Sequence, residues 1–417
     1  MTLGLAELVE PDGVSARLRA AGLDVATSRP IYLRYKPARS ALVSLELVAG
    51  DGVTGRGYVR WSTDAAALDA VEAKAATRWS DPSMSVVRLG PHELFFPFPT
   101  DAELVRLRWY VTGRKLKRSL GDALGDTLGI GRLSGSRTSV HVLVHKPERR
   151  VVSRADLVGD DGRRVVVVRC STAADGHRRA SVARVAARHG VRTAGHLGLV
   201  DGGRVGVDEH LDGVTLDTLP PDAVASICSG ELADLVARLH ELPPPSTLPR
   251  RAPLDHLRSA RQATSWASAW DPVLSPIAGA VADRLAAACP TAGRPVLVHG
   301  DLHDGNVVVG PAGLGLIDLD RVCVGDAEAD LGRLRAAAMA SDDARMALAE
   351  GAVEAVASRH GVDADRLAWY TAVGLVDRAV VTMRELAPDA IARARHLLTL
   401  AGSELVTRMT GVTGVAR

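Results

Sequence analysis

The sequence predicts an α+β protein of two lobes, the first rich in strands and the second helical, preceded by a further α+β domain. Three observations predict it. Strand–turn–strand patterns fill residues 32–61 and return at 140–170. Apolar positions at helical spacing occupy most of the chain after Ala223. Between those helices, residues 295–320 switch to short apolar strands around a polar loop. With 417 residues, 47% apolar and 24% charged, the chain can form two or three packed units and is not of disordered composition.

Taken in order, residues 1–30 read as one or two helices and a connector. Tyr32 to Val48 reads as two strands joined by a tight turn at Lys36-Pro37-Ala38-Arg39, and Asp51-Gly52 turns the chain into a third strand at Gly57–Trp61. Ala65–Ala76 is helical in composition, and Glu93–Pro99, which holds all three phenylalanines, reads as an extended packing plug. The pattern then repeats. Val140–Val158 gives strand, Lys146-Pro147 turn and strand, and Asp160-Asp161-Gly162 leads into Val165–Cys170. Val168-Arg-Cys-Ser-Thr172 answers Val59-Arg-Trp-Ser-Thr63, each before a helical stretch. Two copies are too few for a solenoid and suggest a duplicated lobe. Gly129-Ile-Gly-Arg-Leu-Ser-Gly135, between the copies, looks like a phosphate loop but has neither a strong preceding strand nor a following Lys-Ser. Arg204–Leu216 reads as a strand running into a turn, and Ala223–Leu242 as one amphipathic helix. Pro243–Pro249 is a rigid link, and four helices close the chain from residue 326. The expected domains are 1–128, 129–215 and 216–417.

A net charge of +2 and the absence of basic runs interleaved with aromatics give no nucleic-acid surface. No apolar run approaches a membrane span, the N-terminal residues carry acids rather than a signal pattern, and the four cysteines have no metal or redox spacing. The expectation is a cytoplasmic protein that binds neither nucleic acid nor membrane. Positive charge is nearly all arginine, and no lysine follows Lys146.

The chemistry concentrates in His299-Gly-Asp-Leu-His-Asp-Gly-Asn306 and Leu316-Ile-Asp-Leu-Asp320. Polar groups set between buried strands are costly without partners or a task. Strands that bring Asp301, Asn306 and Asp318 to neighbouring points meet the needs of phosphoryl transfer, which positions reactants and neutralises charge rather than forming bonds to the protein. An Asn–Asp pair also suits Mg²⁺, which takes few protein ligands and keeps substrate oxygens. His303 has two open readings, a loop hydrogen bond or a substrate contact. Asp320 likewise either helps a metal or starts a turn.

These motifs resemble the aminoglycoside phosphotransferase and choline kinase group, small-molecule kinases of the protein-kinase-like fold, over roughly residues 140–400. The resemblance implies an ATP- and Mg²⁺-dependent phosphotransferase, and the internal repeat makes its extra N-terminal domain a copy of the strand-rich lobe. Asp301 would be the catalytic base, His299 would orient its loop, Asn306 and Asp318 would hold Mg²⁺, and Asp330 would brace the loop. The backbone from Glu209 to Leu211 would receive the adenine. One departure stands out. Where the family has a strand lysine steadied by a helix glutamate, this chain has Arg169, followed by a helix (Arg178–His189) without an acid. Lys146, Arg149 or Arg150 on the hairpin turn could take over the phosphates. The acceptor would be a hydroxyl of a small molecule such as a sugar, an amino alcohol or an antibiotic. Two further readings stay open: a Ser/Thr kinase acting on a precursor peptide, and a nucleotide-binding pseudokinase scaffold. Cationic antibiotics need an acidic cleft, so Arg378, Arg384, Arg393 and Arg395 on the last helices argue mildly against an aminoglycoside acceptor.

Overall fold

In a computed structural model, residues 5–78, 85–104 and 106–411 are described. The chain forms two compact units. The first comprises residues 1–176, 197–208 and 384–388, and the second 177–196, 209–383 and 389–417.

The first unit holds two five-stranded sheets of identical order. After α1 (Leu5–Val9) and α2 (Pro11–Ala20) come β1 (Thr27–Lys36), β2 (Ser40–Val48), β3 (Thr54–Ser62), α3 (Ala65–Arg78), β4 (Val87–Gly90) and β5 (Glu93–Pro97). They form a sheet ordered β1-β2-β3-β5-β4. After α4 (Gly113–Leu128) the series runs β6 (Ser139–Lys146), β7 (Arg150–Val158), β8 (Arg163–Cys170), α5 (Ala173–Arg188), β9 (His196–Val200) and β10 (Val205–Glu209), with sheet order β6-β7-β8-β10-β9. Both Lys–Pro hairpins close through a residue in the left-handed region, Ala38 (φ 53°) and Glu148 (φ 59°). Glu93–Pro99 is more than a plug. Its first five residues are β5, hydrogen-bonded between β3 and β4, so Leu94 and Phe96 are core positions of a sheet.

The two sheets of this unit meet at Glu148. Its buried carboxylate pairs with Arg34 at 3.1 Å and Arg60 at 2.5 Å, and its backbone N–H donates to Asp101 Oδ2 at 3.0 Å. Helix α5 starts at Ala173, five residues before the expected Arg178, and therefore does contain an acid, Asp175. Thr172 and Asp175 form the reason: Asp175 N–H donates to Thr172 Oγ1 (3.2 Å), which donates to Asp175 Oδ2 (2.7 Å), capping the N-terminus.

The second unit contains the rest of α5, then β11 (Val214–Thr215), α6 (Pro221–Ala225), α7 (Ser229–Glu241), α8 (Pro253–Trp270), α9 (Ser275–Ala287), β12 (Pro295–Val298), β13 (Val307–Gly310), β14 (Gly313–Leu316), β15 (Cys323–Asp326), α10 (Ala327–Met339), α11 (Asp343–His360), α12 (Ala364–Arg384) and α13 (Ala390–Gly411). The helix expected over Ala223–Leu242 is two, because Cys228 is extended (φ −72°, ψ 121°) and interrupts the ladder between α6 and α7. The core packs α7, α10 and α11 around Leu297, Val307 and Leu316 of the short strands.

Two small sheets set the polar loop. β12 pairs antiparallel with β15, Val298 opposite Cys323, and β13 pairs antiparallel with β14, Val307 opposite Leu316. Helix α10, which follows β15, is pressed against α12 at Gly332. A Cβ there would lie 2.6 Å from the Tyr370 carbonyl carbon and 2.7 Å from the Thr371 nitrogen. Gly332→Ala is expected to lower stability by about 1–3 kcal/mol through overpacking, read as a lower midpoint in urea unfolding.

Candidate active site

The loop between β12 and β13 carries the candidate residues, and its path follows from two local requirements. Gly300 lies at φ 75°, and a Cβ there would meet the Arg321 carbonyl oxygen at 2.3 Å, so only glycine lets the chain turn past residue 321. The turn is then tied down by Asp330 on α10, which is fully buried. Asp330 accepts from the backbone N–H groups of His299 (2.7 Å) and Gly300 (2.8 Å), and from His240 Nε2 of α7 (3.1 Å). Burial alone would push this carboxyl up, but the His240 hydrogen bond, together with the backbone bonds, brings it below the ordinary range.

His299 is fully buried, and its Nε2–H donates to the Ile317 carbonyl at 2.8 Å. This bond joins the loop to the residue before Asp318. Ile317 N–H donates to the Asn306 carbonyl at 3.0 Å, so the register of β13 and β14 places Asn306 beside the same segment. Asn306 is held by its amide nitrogen, which donates to the Asp301 carbonyl at 2.8 Å and lies 3.2 Å from His303 Nε2. Among the described residues its Oδ1 has no hydrogen-bond partner. Asp318 adopts the left-handed region (φ 61°), an uncommon conformation of the kind held at functional sites by surrounding structure. One amide oxygen and one carboxylate, both on strand ends, fit Mg²⁺, whose remaining positions are filled by water and substrate oxygens.

His303 makes the expected loop hydrogen bond: its Nδ1 accepts from Gly305 N–H at 3.0 Å. Asp320 lies in the short 3-10 turn Leu319–Arg321 that follows Asp318, as the turn reading expects. Its carboxylate accepts from Arg179 Nη1 at 3.1 Å and its carbonyl from Arg178 Nη1 at 3.2 Å. Helix α5 therefore contributes two guanidinium groups to the segment after Asp318, where the resemblance leads one to look for an acid. Nothing in the sequence paired residues 178–179 with 320, which lie 141 and 142 positions apart.

Asp301 is 28% exposed and has two cationic neighbours, with Arg321 Nη1 at 3.2 Å and Arg333 Nη1 at 3.6 Å from its Oδ1. Arg333 is steadied in turn by Asp377 at 2.6 Å. Burial raises the Asp301 carboxyl, but Arg321 and then Arg333 outweigh it and hold the pKa at about 2. The group is a carboxylate at any ordinary pH, with Oδ2 open to a hydroxyl proton. A base must be deprotonated to act, so the Asp301-dependent acid limb of the rate profile lies near pH 2, and activity falls only as pH drops through it. Removing one guanidinium raises that pKa. Arg321→Gln is expected to move the limb upward, measured as log(kcat/KM) against pH.

The other expected residues are placed as follows. Glu209 ends β10, and its backbone N–H donates to Gly195 O at 2.7 Å. Leu211 follows it and packs at Gly315 of β14. Lys146 and Arg169 lie in the first unit, Lys146 opposite Arg150 at the end of β6 and Arg169 buried on β8 opposite Val152. The glycine stretch 129–135 follows the C-terminus of α4, with Gly129 as its left-handed cap. Phosphate loops use a helix N-terminus, where amides converge, so this placement removes the basis for that reading.

A family model described as "Phosphotransferase enzyme family" matches residues 152–398. The chain belongs to this family. It is a phosphotransferase. Among solved structures, a choline kinase from Cryptosporidium parvum Iowa II is similar at 12% identity, over 69% of this chain and 96% of that one, with a TM-score of 0.52. An aminoglycoside phosphotransferase in ternary complex with AMP-PNP and hygromycin B is similar at 16% identity, over 69% and 98%, with a TM-score of 0.51. At such identities these likenesses speak for the fold. No curated protein matches the chain significantly. Among the described residues no helix is long and apolar enough to cross a membrane.

Proposed function

We propose that this phosphotransferase moves the γ-phosphoryl group of ATP, with Mg²⁺, to a hydroxyl of a small molecule. The observation that carries the reading is the convergence of Asp301, Asn306 and Asp318 on one segment, tied through His299 to Ile317 and through Ile317 to Asn306. In this reading Asp301 Oδ2 takes the proton of the acceptor hydroxyl. The acceptor oxygen bonds to the γ-phosphorus as the bond from phosphorus to the bridging oxygen breaks, and that oxygen keeps the electron pair in ADP. Asn306 Oδ1 and the Asp318 carboxylate would hold Mg²⁺, which neutralises phosphate charge when bound. Asp330, His240 and His299 act by positioning, since each touches the loop and none the reacting atoms.

The order of the first sheet, its Lys–Pro hairpin and its following helix support reading residues 1–128 as a copy of the strand-rich lobe. The test of the function is ADP release by the full chain over a panel of hydroxyl acceptors. Release is expected to need added Mg²⁺ and to stop with excess EDTA. Release that is unchanged by EDTA would remove the metal from the reading.

A further inference from the structure

The ring of charge around Asp301 has a sign opposite to the one a cationic acceptor needs. A base must touch the hydroxyl it deprotonates, so the groups on and beside Asp301 line the acceptor position. Arg321, whose side chain is 46% exposed, and Arg333 sit on the same oxygen of Asp301. Arg378, one residue beyond Asp377 on α12, is half-buried and forms no hydrogen bond or ion pair with any described residue. Its charge is felt at Asp304 of the loop, whose own ion-pair partner is Arg345 at 3.4 Å. Arg251, also half-buried, has only the Ser259 hydroxyl as a side-chain partner, at 3.3 Å, and with Arg333 it acts on both His256 and Cys323. Arg321 and Arg333 thus sit on Asp301 itself, with Asp377 paired to Arg333, and the charge of the unpaired Arg378 reaches the same loop at Asp304. A half-buried guanidinium without a carboxylate is costly unless something that binds there supplies one.

We propose that the acceptor of this phosphotransferase carries an anionic group, a carboxylate or a phosphate, which Arg378 and Arg321 bind while its hydroxyl meets Asp301. This rests on the phosphotransfer reading above and deepens it. Arginine suits the task because its planar fork meets both kinds of oxyanion through two parallel hydrogen bonds. Choline-like or polyamine-like acceptors would be repelled by the same groups.

The test uses the full chain with Mg²⁺ and AMP-PNP, titrated calorimetrically with glycerate, glycerol 3-phosphate, glycerol and choline, alongside ADP release from ATP with the same four. One or both acids are expected to bind and to be phosphorylated, with glycerol and choline at least tenfold weaker. The two acids tell a carboxylate subsite from a phosphate subsite. Arg378→Gln is expected to weaken the preferred acid about 10- to 100-fold, the loss of a charge-assisted hydrogen bond, in KM rather than kcat. Arg378→Lys should restore part of it, a rescue that a merely structural role would not give. The proposal falls if choline or glycerol binds as well as the acids, if neither acid binds, or if Arg378→Gln leaves the preference unchanged. Acids that bind in an Arg378-dependent way without ADP release would uphold the anionic subsite and overturn the phosphotransfer reading instead.

Discussion

Replacing Asp301 by alanine is expected to lower kcat by about 10²–10⁴-fold, the usual contribution of a positioned proton acceptor, while the protein stays folded. Stability should change little because Asp301 is partly exposed and its loop is held by other groups. His299, Gly300 and Asn306 are all fixed by bonds that do not use the Asp301 side chain. Removing the carboxylate also leaves Arg321 and Arg333 without that partner, though Arg333 keeps Asp377. Asp301→Asn keeps the shape and both arginine contacts as hydrogen-bond geometry, but it cannot accept the proton as a carboxylate does. A comparable loss in the asparagine variant would assign the effect to basicity. A loss confined to alanine would assign it to the arginine cluster. Single-turnover phosphoryl transfer in each variant, with circular dichroism as a control for folding, separates the two.

Much of this site was legible in the sequence because its parts are local. Asp301, His303 and Asn306 lie within six residues, and the apolar runs on either side mark them as a loop between buried strands. Helical spacing likewise marked α10 to α13 to within a few residues. What was not legible depends on contacts between distant segments. Arg178 and Arg179 read as the polar face of a helix, and only the fold brings them to Asp320. His240 reads as one more position of an amphipathic helix, and only its packing against α10 makes it a ligand of Asp330. Glu148, beside Lys146 in the second Lys–Pro turn, was given no role by the sequence. Its burial between two arginines from another sheet could not be deduced from a Lys–Pro turn that predicts exposure. Strand β5 was misread for a related reason: Pro97 and Pro99 discourage a strand, yet only Glu93–Pro97 pairs, so the prolines fall at the end where a lost N–H costs little.

The largest effect on stability is expected at Asp330. Three donors converge on its carboxylate, two of them backbone N–H groups of the loop, and all are shut away from water. Asp330→Ala leaves all three without an acceptor, and breaking a buried charged cluster in this way costs about 3–5 kcal/mol. That is a large part of the 5–15 kcal/mol that holds a typical domain together. Asp330→Asn keeps one acceptor oxygen and should cost less, so the order wild type, asparagine, alanine is expected in chemical unfolding midpoints. The pH dependence follows from the same contacts. The carboxyl is lowered in the folded protein, so its contribution is fully present above the ordinary carboxylate range and is lost as pH falls through the lowered folded value. Wild type should therefore lose stability on acidification more steeply than Asp330→Asn, which has no such carboxyl. Equal acid sensitivity in the two proteins would show that the brace draws its strength from packing of α10 rather than from the charge of Asp330.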